Sequence, residues 1–307
     1  MVPKTEFIWF DGKLVPWDEA KVHVLSHALH YGVGVFEGIR SYQCTDGSSA
    51  VFRLREHIQR LFDSAKILRM VIPHTVDSIV EACVATLTAN KMPHGYLRPL
   101  SFLGLGAMGV LPKDNPVQTI IATWPWGAYL GEEALEKGIR VKTSSFVRHH
   151  VNSMMTKAKA TGNYINSVLA KMEVVADGYD EGLMLDTNGF VSEATGENIF
   201  IVKNGKIKTT PLTSVLPGIT RDSLMVLARD LGYEVCEQLF TRDELYIAHE
   251  AFFSGTAAEV TPIREVDRRV IGEGKAGAVT KHLQKEFFKV VKGENPKYSA
   301  WLHPYSL

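Results

Sequence analysis

The sequence predicts an α+β protein of two domains. Strand-like and helix-like hydrophobic periods both occur along it, without the regular strand–helix–strand alternation of a doubly wound sheet. Its 307 residues exceed what one ordinary core organises. The stretch 125–131, reading PWGAYLG, interrupts the pattern before a new amphipathic segment begins. The boundary is placed there, giving a smaller N-terminal domain, 1–130, and a larger C-terminal domain, 131–307.

The chain opens on a β-hairpin: Phe7–Phe10, the turn Asp11-Gly12, then Lys13–Val15. A helix is predicted over Glu56–Met70, where Ile58, Leu61, Phe62, Ala65 and Leu68 recur at helical spacing. A second is predicted over Val76–Ala89, with Ile79, Val80, Cys83, Val84 and Leu87 inward. Tyr96–Leu103 and Thr119–Trp124 read as strands. Beyond the boundary come a strand (Ile139–Thr143), a helix (Tyr164–Ala176) and a hairpin over Glu181–Val191 turning at Asn188-Gly189. A strand (Asn198–Val202) and a helix (Arg221–Leu231) follow.

Lys plus Arg balance Asp plus Glu at 34 each, so no overall field draws the chain to nucleic acid or an anionic membrane. A small-molecule partner is expected. The first residues are too acidic for a signal peptide, and no apolar run is long enough to span a bilayer. Cys44, Cys83 and Cys236 are few and widely spaced, which suits a reducing cytoplasm.

Two motif matches fail on context. Gly104-Leu105-Gly106-Ala107-Met108-Gly109 fits a dinucleotide fingerprint, but Pro112 and Pro116 follow where the phosphate-binding helix must start. His149-His150 lacks a third ligand at zinc spacing, so no metal is expected.

Four segments can carry chemistry. Lys159, in KAKATGNY, has small neighbours and precedes an apolar helix, a setting that can desolvate an amine nucleophile; a solvated turn lysine is the plainer reading. In Leu216-Pro217-Gly218-Ile219-Thr220-Arg221, Thr220 is expected to cap a helix whose N-terminus suits a phosphate. Ser254-Gly255-Thr256-Ala257 ends a strand with small residues and hydroxyls, as an anion site or a plain turn. Glu193, after a hairpin strand, either pairs with a protonated ring nitrogen or is simply solvated. Together these are an amine, an acid and an anion site, which a pyridoxal 5′-phosphate (PLP) enzyme needs.

At these residues the chain resembles the class IV, fold-type IV PLP-dependent aminotransferases. KATGNY, SEATGEN, LPGITR and SGTAAE occur in the order and at the separations of that family. HALHYG, VFEGIR, FRLREHIQR, YLRP and PWG resemble the branched-chain aminotransferases, and the resemblance runs from Trp9 to about Gly274. It implies a two-domain D-amino-acid-aminotransferase-like fold with PLP in the interdomain cleft. Lys159 would be the catalytic amine bound to the cofactor. Glu193 would meet the pyridine nitrogen and Tyr164 the phenolic oxygen. Arg60 would hold the phosphate with a bidentate fork, aided by Leu216, Gly218, Ile219, Thr220, Gly255 and Thr256. Tyr31, Phe36, Gly38, Trp126 and Tyr129 would wall the substrate pocket. Arg98, with Tyr31, would meet a distal carboxylate, and Tyr96 with Thr256 and Ala257 the α-carboxylate.

Met108 and Val110 would enter from a neighbouring subunit. The resemblance thus implies a homodimer with a shared active site, with a trimer of dimers as a further level of assembly. The reaction it implies is amino-group exchange between leucine, isoleucine or valine and 2-oxoglutarate. A D-amino-acid aminotransferase and an aminodeoxychorismate lyase are rivals within the fold. A non-catalytic phosphate-ligand binder is the rival outside it, and would need neither Lys159 nor Glu193.

Overall fold

The computed structural model describes residues 2–127 and 131–307, so Tyr129 lies outside the described residues. Two compact units account for the chain. The first runs to Trp126 and also takes Ala158–Gly162 and Lys289–Leu307; the second takes Gly127–Lys157 and Asn163–Phe288. Besides the crossing at the expected boundary, the chain therefore crosses again around residue 160 and near its end. Pairing explains both returns. Ala160 bridges to Val35, and the last strand, Leu302–Tyr305, pairs antiparallel with Ser49–Phe52.

The first unit is built on an antiparallel eight-stranded sheet. Its spatial order is Leu302–Tyr305, Ser49–Phe52, Ile39–Gln43, Gly95–Leu103, Val117–Trp124, Phe7–Phe10, Lys13–Pro16, with Gly34–Phe36 also on Gly95–Leu103. The opening hairpin forms as expected. Asp11 and Gly12 both adopt positive φ, the requirement of a two-residue turn matched to strand twist. Two helices cover the sheet, Leu54–Ile67 and Val76–Ala89. The first begins and ends slightly before the predicted limits: Arg53 is left-handed at its start, and Arg69 is left-handed just past its end. The second carries a capping box, in which the Ser78 N–H donates to Thr75 Oγ1 and the Thr75 N–H donates to Ser78 Oγ. Ile58, Ile79, Leu87, Leu97 and Ile121 close this core.

The second unit holds a mixed nine-stranded sheet ordered Val191–Ala194, Glu181–Leu185, Ile139–Thr143, Glu259–Val266, Glu250–Gly255, Asn198–Lys203, Lys206–Thr209, Glu234–Glu237, with Arg269–Val270 on Glu259–Val266. Three of its pairings are parallel. Phe253, Ile199, Leu183 and Phe240 fill the core.

Two local expectations change. The helix of the LPGITR segment starts at Ile219 and its N-cap is Gly218, with no side-chain cap; Thr220 lies inside the first turn and is buried. A glycine is required there because a Cβ on Gly218 would stand 2.0 Å from Asn198 Oδ1. The helix Tyr164–Ala176 buries only Ser167, Ala170 and Val174, while Ile165, Val168, Leu169, Met172 and Val175 face outward. Among the described residues no helix is long and apolar enough to cross a membrane, and no group of three or more His, Cys, Asp or Glu gathers as for a metal.

Candidate active site

Lys159 is placed by a strand, not by the helix that follows it. The Phe36 N–H donates to the Lys159 carbonyl at 3.0 Å, Ala160 bridges Val35, and the Lys159 N–H donates to Ser64 Oγ at 3.1 Å. Thr161 Oγ1 ties the next residue to the Gly32 carbonyl at 2.7 Å. The segment is thereby stitched to the Gly34–Phe36 strand, and Lys159 Nζ rests 5.2 Å from the centroid of the Phe36 ring.

Phe36 also carries Arg98. The Arg98 guanidinium lies 4.8 Å from the Phe36 centroid, 5.4 Å from that of Tyr96 and 5.7 Å from that of Trp124. Its Nη2 donates to Tyr96 Oη at 3.4 Å, whereas its buried Nε has no hydrogen-bond partner. A cation in an aromatic box with an unused donor suits an incoming anion. Trp126 packs edge-on to Tyr96 at 4.4 Å. Gly38 is dictated by this packing, since a Cβ there would fall 1.8 Å from Tyr96 Oη. Phe36, Gly38, Tyr96, Arg98, Trp126 and Lys159 are therefore brought together, although they are scattered over more than a hundred residues.

Arg60 departs from expectation. Its Nε and Nη2 donate to Glu37 at 2.7 and 2.8 Å, so the forked edge expected to face phosphate is turned to a carboxylate. His57 Nδ1 lies 2.7 Å from Glu37 Oε2, the oxygen that also accepts from Arg60 Nη2, and Glu37 is fully buried. Burial opposes ionisation of Glu37, but Arg60 and His57 outweigh it and hold the carboxyl well below the usual carboxylate range. Burial in turn pushes the His57 ring down, against the pull of Glu37. Sequence reading missed Glu37 and His57, although both lie inside the quoted runs VFEGIR and FRLREHIQR. A carboxylate among Phe, Gly and Ile was the available signal, because such a charge must find a buried partner.

Tyr31, Met108 and Val110 form a separate, exposed group. Tyr31 packs on His27 at 4.5 Å, and His27 Nε2 lies 2.9 Å from the Gly109 carbonyl, pinning the glycine loop.

The second unit gathers the remaining candidates. Glu193 is 4 % exposed, which overturns the solvated alternative. Its Oε1 meets Arg148 Nη2 at 2.8 Å, and its Oε2 accepts from Asn198 Nδ2 and the Leu216 N–H, each at 3.2 Å. Asn198, which holds Glu193, pairs with Ser254 at the end of the strand that leads into Gly255-Thr256-Ala257. The buried Ser254 Oγ has no partner, and the N-terminus at Ile219 has no side-chain cap. Orphan amides and a hydroxyl are the donors a phosphate takes. The buried acceptor and anion donors of this unit, and the amine over an aromatic ring in the other, are each of the kind that PLP requires.

Glu197 was also missed. It is buried beside Glu181, whose carboxylate is occupied by Lys171 Nζ at 2.5 Å and Thr195 Oγ1 at 2.5 Å. Burial, reinforced by Glu181, pushes the Glu197 carboxyl up to about 8. A pKa raised on folding contributes stability in full below the unfolded value near 4.5 and loses it as pH climbs toward 8. Glu197→Gln is therefore expected to flatten the fall of melting temperature between about pH 5 and 8. Parallel melting curves for variant and parent across that window would refute it.

A family profile described as amino-transferase class IV matches residues 34–266. The chain belongs to the class IV aminotransferases. Among its relatives in that family is the branched-chain-amino-acid aminotransferase of Pseudomonas aeruginosa, 52 % identical over 98 % of each chain. The crystal structure of the Escherichia coli branched-chain aminotransferase superposes with a TM-score of 0.95 at 51 % identity, covering 98 % of this chain and 99 % of that one. The branched-chain aminotransferase of Thermobaculum terrenum, solved in its PLP-bound holo form, superposes with a TM-score of 0.93 at 35 % identity, covering 99 % of each chain. This class IV aminotransferase is accordingly PLP-dependent, and its α+β fold is that of the family.

Proposed function

We propose that the chain is a branched-chain-amino-acid transaminase exchanging the amino group of leucine, isoleucine or valine with 2-oxoglutarate. One observation carries the dual substrate range: Arg98 sits in an apolar aromatic box with a buried, unpartnered Nε. The rings suit an aliphatic side chain, and the cation suits the distal carboxylate of glutamate. The D-amino-acid alternative is not favoured, since the named relatives are branched-chain enzymes.

When bound, the cofactor supplies an electron sink for charge developing at the substrate Cα. Lys159 Nζ would hold the cofactor and carry the proton to and from that Cα. Glu193 would pair with the ring nitrogen and Tyr164 with the phenolic oxygen. Ile219, Thr220 and Thr256 in the second unit, and Arg60 in the first, are the residues that would hold the phosphate. Glu37 and His57 keep that guanidinium in one orientation. Leu216 and Gly218 shape the approach to Glu193 and to the helix end, Gly255 and Ala257 would let the turn approach a bound anion, and Tyr96 would serve the substrate carboxylate.

Leucine added to the PLP form is expected to convert the cofactor absorbance to that of the amine form, and 2-oxoglutarate to restore it. D-leucine should leave it unchanged. Conversion by D-leucine alone would overturn the reading.

The working unit is proposed to be a homodimer. Val24, Leu25, Leu29, Leu105, Met108, Val110 and Leu111 expose one apolar surface, and the outward face of Tyr164–Ala176 exposes another. A second copy covering them explains why Tyr31 groups with Met108 and Val110 and not with Arg98: all three enter the partner's pocket. Sedimentation is expected to give at least a dimer at working concentrations. An active monomer would exclude the shared site. The few, widely spaced cysteines fit a reducing cytoplasm.

A further inference from the structure

Arg148 carries no role in the reading above, and nothing in its sequence neighbourhood singles it out. Its Nη2 lies 2.8 Å from Glu193 Oε1, with the two side chains 9 % and 6 % exposed. Nη1 donates to Ser167 Oγ at 3.1 Å, so the guanidinium is braced from the helix Tyr164–Ala176 while it holds the carboxylate. The opposite oxygen of Glu193 is taken by Asn198 Nδ2 and the Leu216 N–H. Titratable groups near this pair include Lys157 and Glu197, which interact with Glu193, and His149 beside Arg148. Lys157 is exposed, Glu197 is held protonated by its raised pKa of about 8, and His149 is pushed down to about 4 by burial and then by Arg148, so neither of the last two is charged at physiological pH. Arg148 is thus a buried cation paired directly with Glu193.

We propose that Arg148 is a positioning residue for the cofactor ring, acting through Glu193: it competes for the carboxylate and so limits how tightly the ring nitrogen holds its proton. The proposal rests on the reading of Glu193 as the ring's partner. A carboxylate shared between two cations binds each less strongly than it would bind one alone. A fixed positive charge nearby also disfavours every protonated state of the groups around it, and burial preserves that effect against screening. Arg148 has a second consequence. Without it, the cofactor-free protein would bury the Glu193 carboxylate without its direct counter-charge, at a heavy cost. The pair therefore keeps Glu193 ionised and correctly turned before the cofactor arrives, and keeps the ring proton exchangeable afterwards.

The test is a pH titration of the cofactor absorbance of the holoenzyme for the parent, Arg148→Met, Arg148→Gln, Arg148→Lys and Glu193→Gln. Both uncharged variants are expected to move the midpoint upward, on the order of half a pH unit or more. Arg148→Lys is expected to bring it back toward the parent value, since lysine restores the charge without the fork. A residue that only braces the loop would lower the melting temperature and leave the midpoint in place. Arg148→Gln can still hydrogen-bond Glu193, so it decides the matter if Arg148→Met does not fold. A midpoint that stays or falls in the uncharged variants overturns the proposal, and so does a shift in Arg148→Lys as large as in Arg148→Met. Glu193→Gln separates the two levels of the argument. If it leaves the cofactor spectrum and its midpoint untouched, the assignment of Glu193 itself fails. If it alters them while the Arg148 variants do not, the role of Arg148 alone is lost.

Discussion

Lys159→Ala is expected to abolish transamination, with a loss of roughly a thousandfold or more, because it removes both the amine that holds the cofactor and the group that moves the Cα proton. Lys157 makes this a sharp test. Burial, then the charge of Arg221, holds the Lys157 amine below its ordinary value, the usual mark of an activated lysine. Yet Lys157 is only partly desolvated and its side chain remains largely in solvent, whereas Lys159 is stitched to the Gly34–Phe36 strand with its amine over the Phe36 ring. Geometry outweighs pKa here, since a nucleophile must first be held at its substrate. Lys159→Ala should therefore lose the absorbance of the lysine-bound cofactor and all turnover while retaining the parent's circular dichroism. Lys157→Ala should keep both within a few-fold. The reverse pattern would assign the chemistry to Lys157.

Arg98→Leu is expected to divide the two half-reactions. The guanidinium lies within 6 Å of three ring centroids and has an unused buried donor. A glutamate side-chain carboxylate entering that box is stabilised by the cation, and loss of the partner leaves a buried charge unpaired at a cost of roughly 2–4 kcal/mol. Leucine has no charge to pair, so its half-reaction should change much less. Single-turnover absorbance changes with leucine and with glutamate measure the two separately. The variant also deletes cation–π contacts worth roughly 0.5–2 kcal/mol, which should appear as a lower melting temperature in either case. Equal losses for leucine and glutamate would make Arg98 a structural residue or one that serves the α-carboxylate.

Much of this protein was legible along the chain because the determinants were local. The opening hairpin follows from Asp11-Gly12, and the Val76–Ala89 helix from its apolar period. The motif runs identified the family because several short patterns in register are far more specific than any one of them. The strands Ile39–Gln43, Ser49–Phe52 and Leu302–Tyr305 were not foreseen, since each is short and is defined by a partner remote in sequence.

The sequence by itself determined the α+β class, the opening hairpin set by its turn chemistry, the Val76–Ala89 helix, and the list of residues able to hold a cofactor. What only the tertiary structure decided is which charges face which. Arg60 was expected to spend its fork on phosphate, but the buried Glu37 claims that edge. Arg148 carried no signal in its own neighbourhood, and its meaning comes from lying 2.8 Å from Glu193, 45 positions away. Glu197 has a raised pKa only because folding buries it near Glu181. The physical reason is common to all three. Backbone conformation is set by neighbours within a few residues, whereas the energy of a buried charge depends on solvent exclusion and on the distance to its partner, and both arise only when remote segments pack.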